Sequence, residues 1–162
     1  MKMNDQNHLD TIDLRLLDRL QRDASETNQQ LAATLGISPP TCLRRVQRLR
    51  ALGLIEREIA LLSSTRMAAM RGHGLEAIID ISLDRQDDAA LQAFEDRVTA
   101  DAAVQQCYRV SPGPDFVLIV AVRDMPGYLA LAQRLFNADA NVRNVKAFFS
   151  VKRAKFAPHV PI

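Results

Sequence analysis

The stretch from Thr27 to Leu49 restricts the fold more than any other part of this chain. It reads as two short amphipathic helices separated by a tight turn, and each boundary has a local chemical reason. Thr27 stands where an N-cap belongs, with Gln30 three residues on, the spacing of a capping box. Leu31 and Leu35 then share one face at i, i+4. Gly36 follows the last apolar residue, where a left-handed C-cap is cheap only for glycine. Ser38 is a natural N-cap for the second helix, and Pro39 occupies its first position, where proline has no hydrogen bond to lose.

The second helix, expected over 39–51, has two faces. Cys42, Val46 and Leu49 recur at i, i+4, i+7 and are expected to pack inward, with Leu43 beside them. Thr41, Arg44, Arg45 and Arg48 recur at i, i+3, i+4, i+7 on a different face. A basic stripe is often no more than a solvated surface. Three arginines without an acid, behind a capped turn, point instead to the second helix of a helix-turn-helix, which enters the DNA major groove. Arginine reads guanine through O6 and N7 and also anchors phosphates. The candidate DNA-binding residues are Ser38, Pro39, Pro40, Thr41, Arg44, Arg45 and Arg48.

The net charge of +2 argues for no partner, whereas its distribution does. From Ser38 to Arg57 five arginines face the single acid Glu56, a footprint suited to nucleic acid. Arg143 to Lys155 is also basic and acid-free, which equally fits a charged strand edge and tail. Cys42 and Cys107 lack metal-ligand spacing and read as buried, reduced thiols. The polar N-terminus has no signal-peptide core, and no apolar run reaches membrane-spanning length. The expectation is a cytoplasmic protein associated with the nucleoid, with no membrane partner.

Ahead of the turn, Leu9, Ile12, Leu16 and Leu20 form a helical stripe through Arg22, with Asp10 as a plausible cap. This third helix is the minimum needed to bury a helix-turn-helix. Gly53 closes the helix 39–51, and Leu54 to Leu62 reads as an extended linking strand or wing. The DNA-binding domain is thus placed at 9–62, a weakly patterned linker at 63–74, and a second domain at 75–155. In the second domain Leu75, Ala77, Ile79, Ile81 and Leu83 alternate with polar residues as a strand, though Ile78 interrupts the polar side. A helix opened by Asp87-Asp88 carries Leu91, Phe94 and Val98. Val104 to Val110 alternates again, Ser111-Pro112-Gly113-Pro114 turns, and Phe116 to Val122 is apolar throughout. Asp124 caps a helix with Tyr128, Leu131, Ala132 and Leu135 on one face, and Val145, Ala147, Phe149 and Val151 alternate to finish. The order β-α-β-β-α-β is the split βαβ unit, with strands one and three central. Two helices on one face leave the other sheet face bare, with Ile78 and Phe148 on it, which suggests a symmetric dimer joined sheet to sheet.

Gly36-Ile37-Ser38-Pro39-Pro40-Thr41-Cys42-Leu43-Arg44-Arg45-Val46-Gln47-Arg48-Leu49, leading into Gly53-Leu54-Ile55, resembles the leucine-responsive regulatory protein/AsnC (Lrp/AsnC) family of transcription regulators. The family pattern there is G-(L/I)-S-x-x-x-(C/V)-x-R-R-(V/I)-x-x-L followed by G-(V/I/L)-I, and every element is kept. The opening Leu9-Asp10-Thr11-Ile12-Asp13 is similar too, and the resemblance extends to about Lys155. It implies an α+β protein, an N-terminal three-helix winged helix-turn-helix plus a C-terminal ferredoxin-like βαββαβ (ACT-like) domain. It further implies double-stranded DNA as partner, a homodimer that can build up to an octamer of four dimers, and a small-molecule effector, typically an amino acid, held between protomers. The family's effector loop, V-(S/T)-G-x-x-D-(Y/F), maps onto Val110, Ser111, Gly113 and Asp115, followed by Phe116. This chain has Pro112 where the family has glycine. Proline removes an N–H able to hold a ligand carboxylate and fixes φ, and Gly113 is positioned to take over the permissive role. The effector therefore differs, binds more weakly or is absent. Asp115 reads either as a partner for a ligand ammonium or as a turn cap.

Two other functions stay open on the sequence: an architectural DNA-binding protein without effector, and a tetrapyrrole decarboxylase-like enzyme sharing the two-domain layout. The enzyme reading lacks convergent acid/base groups. His8, His73 and His159 lie in termini or linker, and no nucleophile set, metal cluster or phosphate loop is evident. No catalytic residue, cofactor or metal is expected.

Overall fold

The computed structural model describes residues 8–72 and 74–162; His73 lies outside them. The chain divides into two compact units, Met1–Leu61 with Lys155–Ile162, and Leu62–Ala154.

In the first unit, α1 (Thr11–Arg22), α2 (Asn28–Leu35) and α3 (Pro39–Ala51) follow in order. Each start is capped as the side-chain chemistry requires. The Asp13 N–H donates to Asp10 Oδ1 at 2.9 Å, and the Asp10 N–H returns a bond to Asp13 Oδ2 at 3.2 Å. Thr27 and Gln30 form the same reciprocal box at the head of α2, with Thr27 N–H on Gln30 Oε1 at 2.7 Å. Gly36 ends α2 at φ 68°, in the left-handed region. The Ser38 hydroxyl accepts from the Thr41 N–H, and Pro39 opens α3. Leu16, Leu31, Ala32, Leu35, Cys42, Val46 and Leu49 close into one apolar core. Leu43 is not part of it and stands 47% exposed.

The segment Leu54–Leu62, read from sequence as a strand, joins no sheet in this chain. Ile55 packs half-buried on the helical core, but Leu54, Ile59, Leu61 and Leu62 are exposed, and no neighbouring strand among the described residues is available to take its backbone hydrogen bonds. The stretch expected as a linker holds α4 (Ser64–Arg71), N-capped by Ser63 and closed by Gly72 at φ 69°.

The second unit follows the split βαβ order. Strands β1 (Leu75–Leu83), β2 (Val104–Arg109), β3 (Phe116–Val122) and β4 (Val142–Phe149) form one antiparallel sheet in the order β2-β3-β1-β4. The most apolar strand, β3, is central and the lysine-bearing β4 is an edge. Helices α5 (Asp88–Thr99) and α6 (Met125–Ala132) are capped by Asp87 and Asp124. Their apolar faces pack with Ala77, Ile79, Ile81, Leu118 and Val120. After Ala132 the helix widens into a π-turn over Gln133–Asn137, which brings the consecutive Leu135 and Phe136 both into the core. Val151 lies past the sheet and is fully exposed, because β1 begins at Leu75 and the last β4-side bond is Ser150 N–H to Glu76 O. The other sheet face carries Ile78, paired in register with Ile119 and Phe148; Ile78 and Phe148 are exposed. The C-terminal segment groups with the first unit, where the Gln21 amide bonds both Val160 N–H (2.8 Å) and Val160 O (3.0 Å).

Candidate nucleic-acid interface

Burial of Cys42, Val46 and Leu49 turns the opposite side of α3 outward. At 100° per residue, that outward pole carries Pro40, Arg44 and Gln47, all exposed. Arg44 has no ion-pair partner among the described residues, so its guanidinium is available along the groove-facing side. Ser38 and Pro39 are exposed at the helix N-terminus, and Thr41 is half-buried with its hydroxyl 2.8 Å from that of Ser38. The turn itself is clasped by Asn28, whose Nδ2 donates to the Pro39 carbonyl at 2.8 Å. This bond ties the start of α2 to the first turn of α3.

Arg45 and Arg48 are arranged differently. Both turn toward the first turn of α1. Arg45 Nη1 lies 2.7 Å from Asp10 Oδ2 and 2.8 Å from Asp13 Oδ1, and Arg48 Nη2 bonds Asp13 Oδ2. Among the described residues Asp13 alone of the charged and polar side chains is buried, 1% exposed. The two guanidinium groups remain partly accessible, 23% and 36%. The Asp13 backbone N–H, then the Arg45 guanidinium, hold the Asp10 carboxyl below its ordinary value. The stripe that looks continuous in sequence is therefore split into an outward Arg44 and two arginines braced from behind.

Two groups escaped the sequence reading. Gln47 sits three residues after Arg44 on the outward pole, and Leu43 flanks it. A helical wheel centred opposite Cys42, Val46 and Leu49 would have found both. Asp13 also escaped the sequence reading: its arginine partners are separated from it by most of two helices, and only Asp10 was read as the cap. Glutamine can pair with adenine N6 and N7, and an apolar side chain can meet the thymine methyl.

In the second unit, the candidate effector residues lie on the β2–β3 hairpin loop. Val110 N–H donates to Asp115 O at 3.1 Å and closes it, and Gly113 stands at φ 126°, a conformation suited to glycine. Ser111 and Gly113 are exposed; Val110 and Asp115 are half-buried. Asp115 also holds the end of β1: its N–H bonds Ile81 O at 2.8 Å, and its Oδ2 accepts from Leu83 N–H at 2.7 Å. One carboxylate oxygen of Asp115 is thus engaged by the protein backbone. Burial pushes the Cys42 and Cys107 thiols up, away from reactive thiolate.

Comparison with known proteins matches this layout unit by unit. Residues 9–50 match the AsnC-type helix-turn-helix domain, and residues 76–160 match the Lrp/AsnC ligand binding domain. The chain belongs to the Lrp/AsnC family. Curated family members include a leucine-responsive regulatory protein of Rhizobium meliloti, 34% identical over 95% of this chain and 96% of its own length. The Escherichia coli K12 leucine-responsive regulatory protein is 30% identical over 91% and 87%. An AsnC family transcriptional regulator from Agrobacterium tumefaciens superposes with a TM-score of 0.83 at 27% identity, covering 94% of this chain and 97% of that one. A transcriptional regulator of Neisseria meningitidis, solved as a complex with L-Met, also gives 0.83 at 27% identity, over 95% and 97%. The protein is a DNA-binding transcription regulator with an N-terminal helix-turn-helix and a C-terminal ferredoxin-like ligand-binding domain. Its relatives are regulators rather than enzymes. No helix among the described residues is long and apolar enough to cross a membrane.

Proposed function

We propose that this regulator works as a homodimer in the cytoplasm, on the nucleoid, and reads a pseudo-palindromic duplex with one α3 per half-site. The carrying observation is the capped, clasped turn that presents Arg44 at the exposed pole of α3. Arg44 and Gln47 read base edges. Ser38, Pro39, Pro40 and Thr41 approach the backbone at the helix N-terminus, and Arg45 and Arg48 meet phosphates from their braced positions. Half-sites then lie about 34 Å apart, or a multiple of that. Footprinting on genomic fragments tests this: the triple variant Arg44/Arg45/Arg48→Ala should lose protection at all sites. A footprint it leaves unchanged removes α3 as the reader.

The ligand is an amino acid held at the loop formed by Val110, Ser111, Gly113 and Asp115 where protomers meet, with dimers assembling further into an octamer. Support comes from the ligand-binding domain match and from the relative solved with L-Met. Titration calorimetry with a panel of amino acids, L-methionine and L-leucine included, tests it. One observation favours an effector-independent, architectural role: Pro112 offers no N–H, and Asp115 already serves Leu83. Absence of heat and of any change in assembly size across the panel selects that reading.

A further inference from the structure

We propose that Asp13, which lies outside the reading helix, is a specificity-determining residue of the DNA interface. It pins Arg45 and Arg48, withholding their charge from arbitrary phosphates and fixing the direction in which they meet a matching site. The inference rests on α3 being the reading helix.

The carboxylate is expensive where it sits. Asp13 is 1% exposed, and burying a charge carries a desolvation penalty that ion pairing often only balances. The carboxylate's position is not left to chance either. The Asp10 N–H bonds its Oδ2, so the backbone of the helix start fixes it before any arginine arrives. Both of its oxygens then face α3, Oδ1 on Arg45 and Oδ2 on Arg48. Asp10 supplies a second acceptor for Arg45. Two carboxylates thus balance two guanidinium groups.

That balance has a functional reading. Sequence-independent binding comes from neutralising phosphates, and its strength grows with the number of free cations. Arg45 and Arg48 would add to it at any sequence if they were loose. Held by Asp13, they reach only phosphates whose position matches the brace. Ordering two flexible side chains in advance also lowers what must be ordered on binding the right site. Asp13 therefore lowers affinity for wrong DNA and raises it for right DNA.

The test uses the full-length protein and two duplexes: one enriched from a random library by the wild-type protein, and its scrambled counterpart. Asp13→Asn keeps a hydrogen-bond acceptor and removes the charge. Affinity for the scrambled duplex should rise several-fold, with a salt slope steeper by about one phosphate contact. Affinity for the selected duplex should fall, so the ratio of the two drops about tenfold or more. A merely structural residue would lower both affinities together, and a spectator would change neither; either result overturns the proposal. If Asp13→Asn fails to melt cooperatively, Asp10→Asn decides. Asparagine caps a helix as well as aspartate does, and this change removes only Arg45's second acceptor. The same shift in ratio, smaller in size, is expected, and an unchanged ratio overturns the proposal. The double variant Arg44→Ala/Gln47→Ala run alongside separates the two levels. If it retains full discrimination, α3 is not the reader and both readings fall; if it loses discrimination while Asp13→Asn does not, only this one falls.

Discussion

Arg44 and Arg45 are adjacent in sequence and do different work. Arg44 points from the pole of α3, whereas Arg45 is bonded to two carboxylates of α1. Arg44→Ala should therefore cost about 1–3 kcal/mol of base discrimination, seen as a loss confined to one position of the operator. Arg45→Ala should weaken binding evenly across operator variants and make the salt slope shallower. Competition binding against single-base operator variants measures both. At the same scale, Asp101 shows how acid should act on the second unit. The Arg134 guanidinium, and after it the Ala103 N–H, hold its carboxyl below the ordinary value of 3.8. A depressed folded-state pKa contributes stability that is present above that ordinary value. The contribution is lost as pH falls through the lower folded one. Asp101→Asn should thus flatten the acid limb of the stability curve below about pH 4 and leave its shape above pH 5 unaltered, as followed by urea denaturation at stepped pH.

The elements were legible in proportion to how local their causes are. The boundaries of α2 and α3 rest on Thr27, Gly36, Ser38 and Pro39, each acting within four residues, and all of these caps form. Alternation likewise placed β1 and β2, and the unbroken apolar run from Phe116 to Val122 placed β3. The misread parts depend on what is distant or absent from a local window. Leu54–Leu62 has strand chemistry but no strand to pair with in this chain. The π-turn at Gln133–Asn137 shifts the helical period, so Phe136 enters a core that the wheel assigned to Leu135 alone. Asp10 was visible as a cap, but Asp13 had no local signal, because the arginines it holds lie more than thirty residues away. At the interface the wheel found the arginine face but centred it about a sixth of a turn off, which hid Gln47. The caps give a direct check. At Gly36 an added Cβ would meet nothing within 4 Å, so Gly36→Ala should cost only the left-handed penalty, about 1–2 kcal/mol. Gly36→Asn should cost less. Ser38→Ala should cost about 1 kcal/mol. Urea melts of the full chain measure all three.

At the scale of the whole molecule, the sheet is finished on one side only. Its inner face is filled by α5 and α6, while Ile78, Tyr108 and Phe148 stand on the other, 41%, 52% and 53% exposed. They come from the central strand β1 and from both edges, so the apolar surface runs across the sheet. Asp80 and Lys146, opposite one another in register, share a cross-strand row with Tyr108 and set a polar limit to the Ile78–Phe148 part of it. A surface of this kind can meet its own copy about a two-fold axis, and the proposed homodimer would cover it without new chemistry. Phe148→Glu puts a charge on that face near one end of the β1–β4 pairing, at a side chain that folding leaves more than half exposed and association would bury. The variant should keep its far-ultraviolet circular dichroism and sediment as a monomer at low micromolar concentration. Because two tethered reading helices gain affinity by effective concentration, its binding to a duplex with both half-sites should fall by about 100-fold. Binding to a single half-site should stay unchanged. If Phe148→Glu sediments with the wild-type mass, this face is not where the copies meet, and the partner must be sought along the exposed apolar run from Ile59 to Leu62.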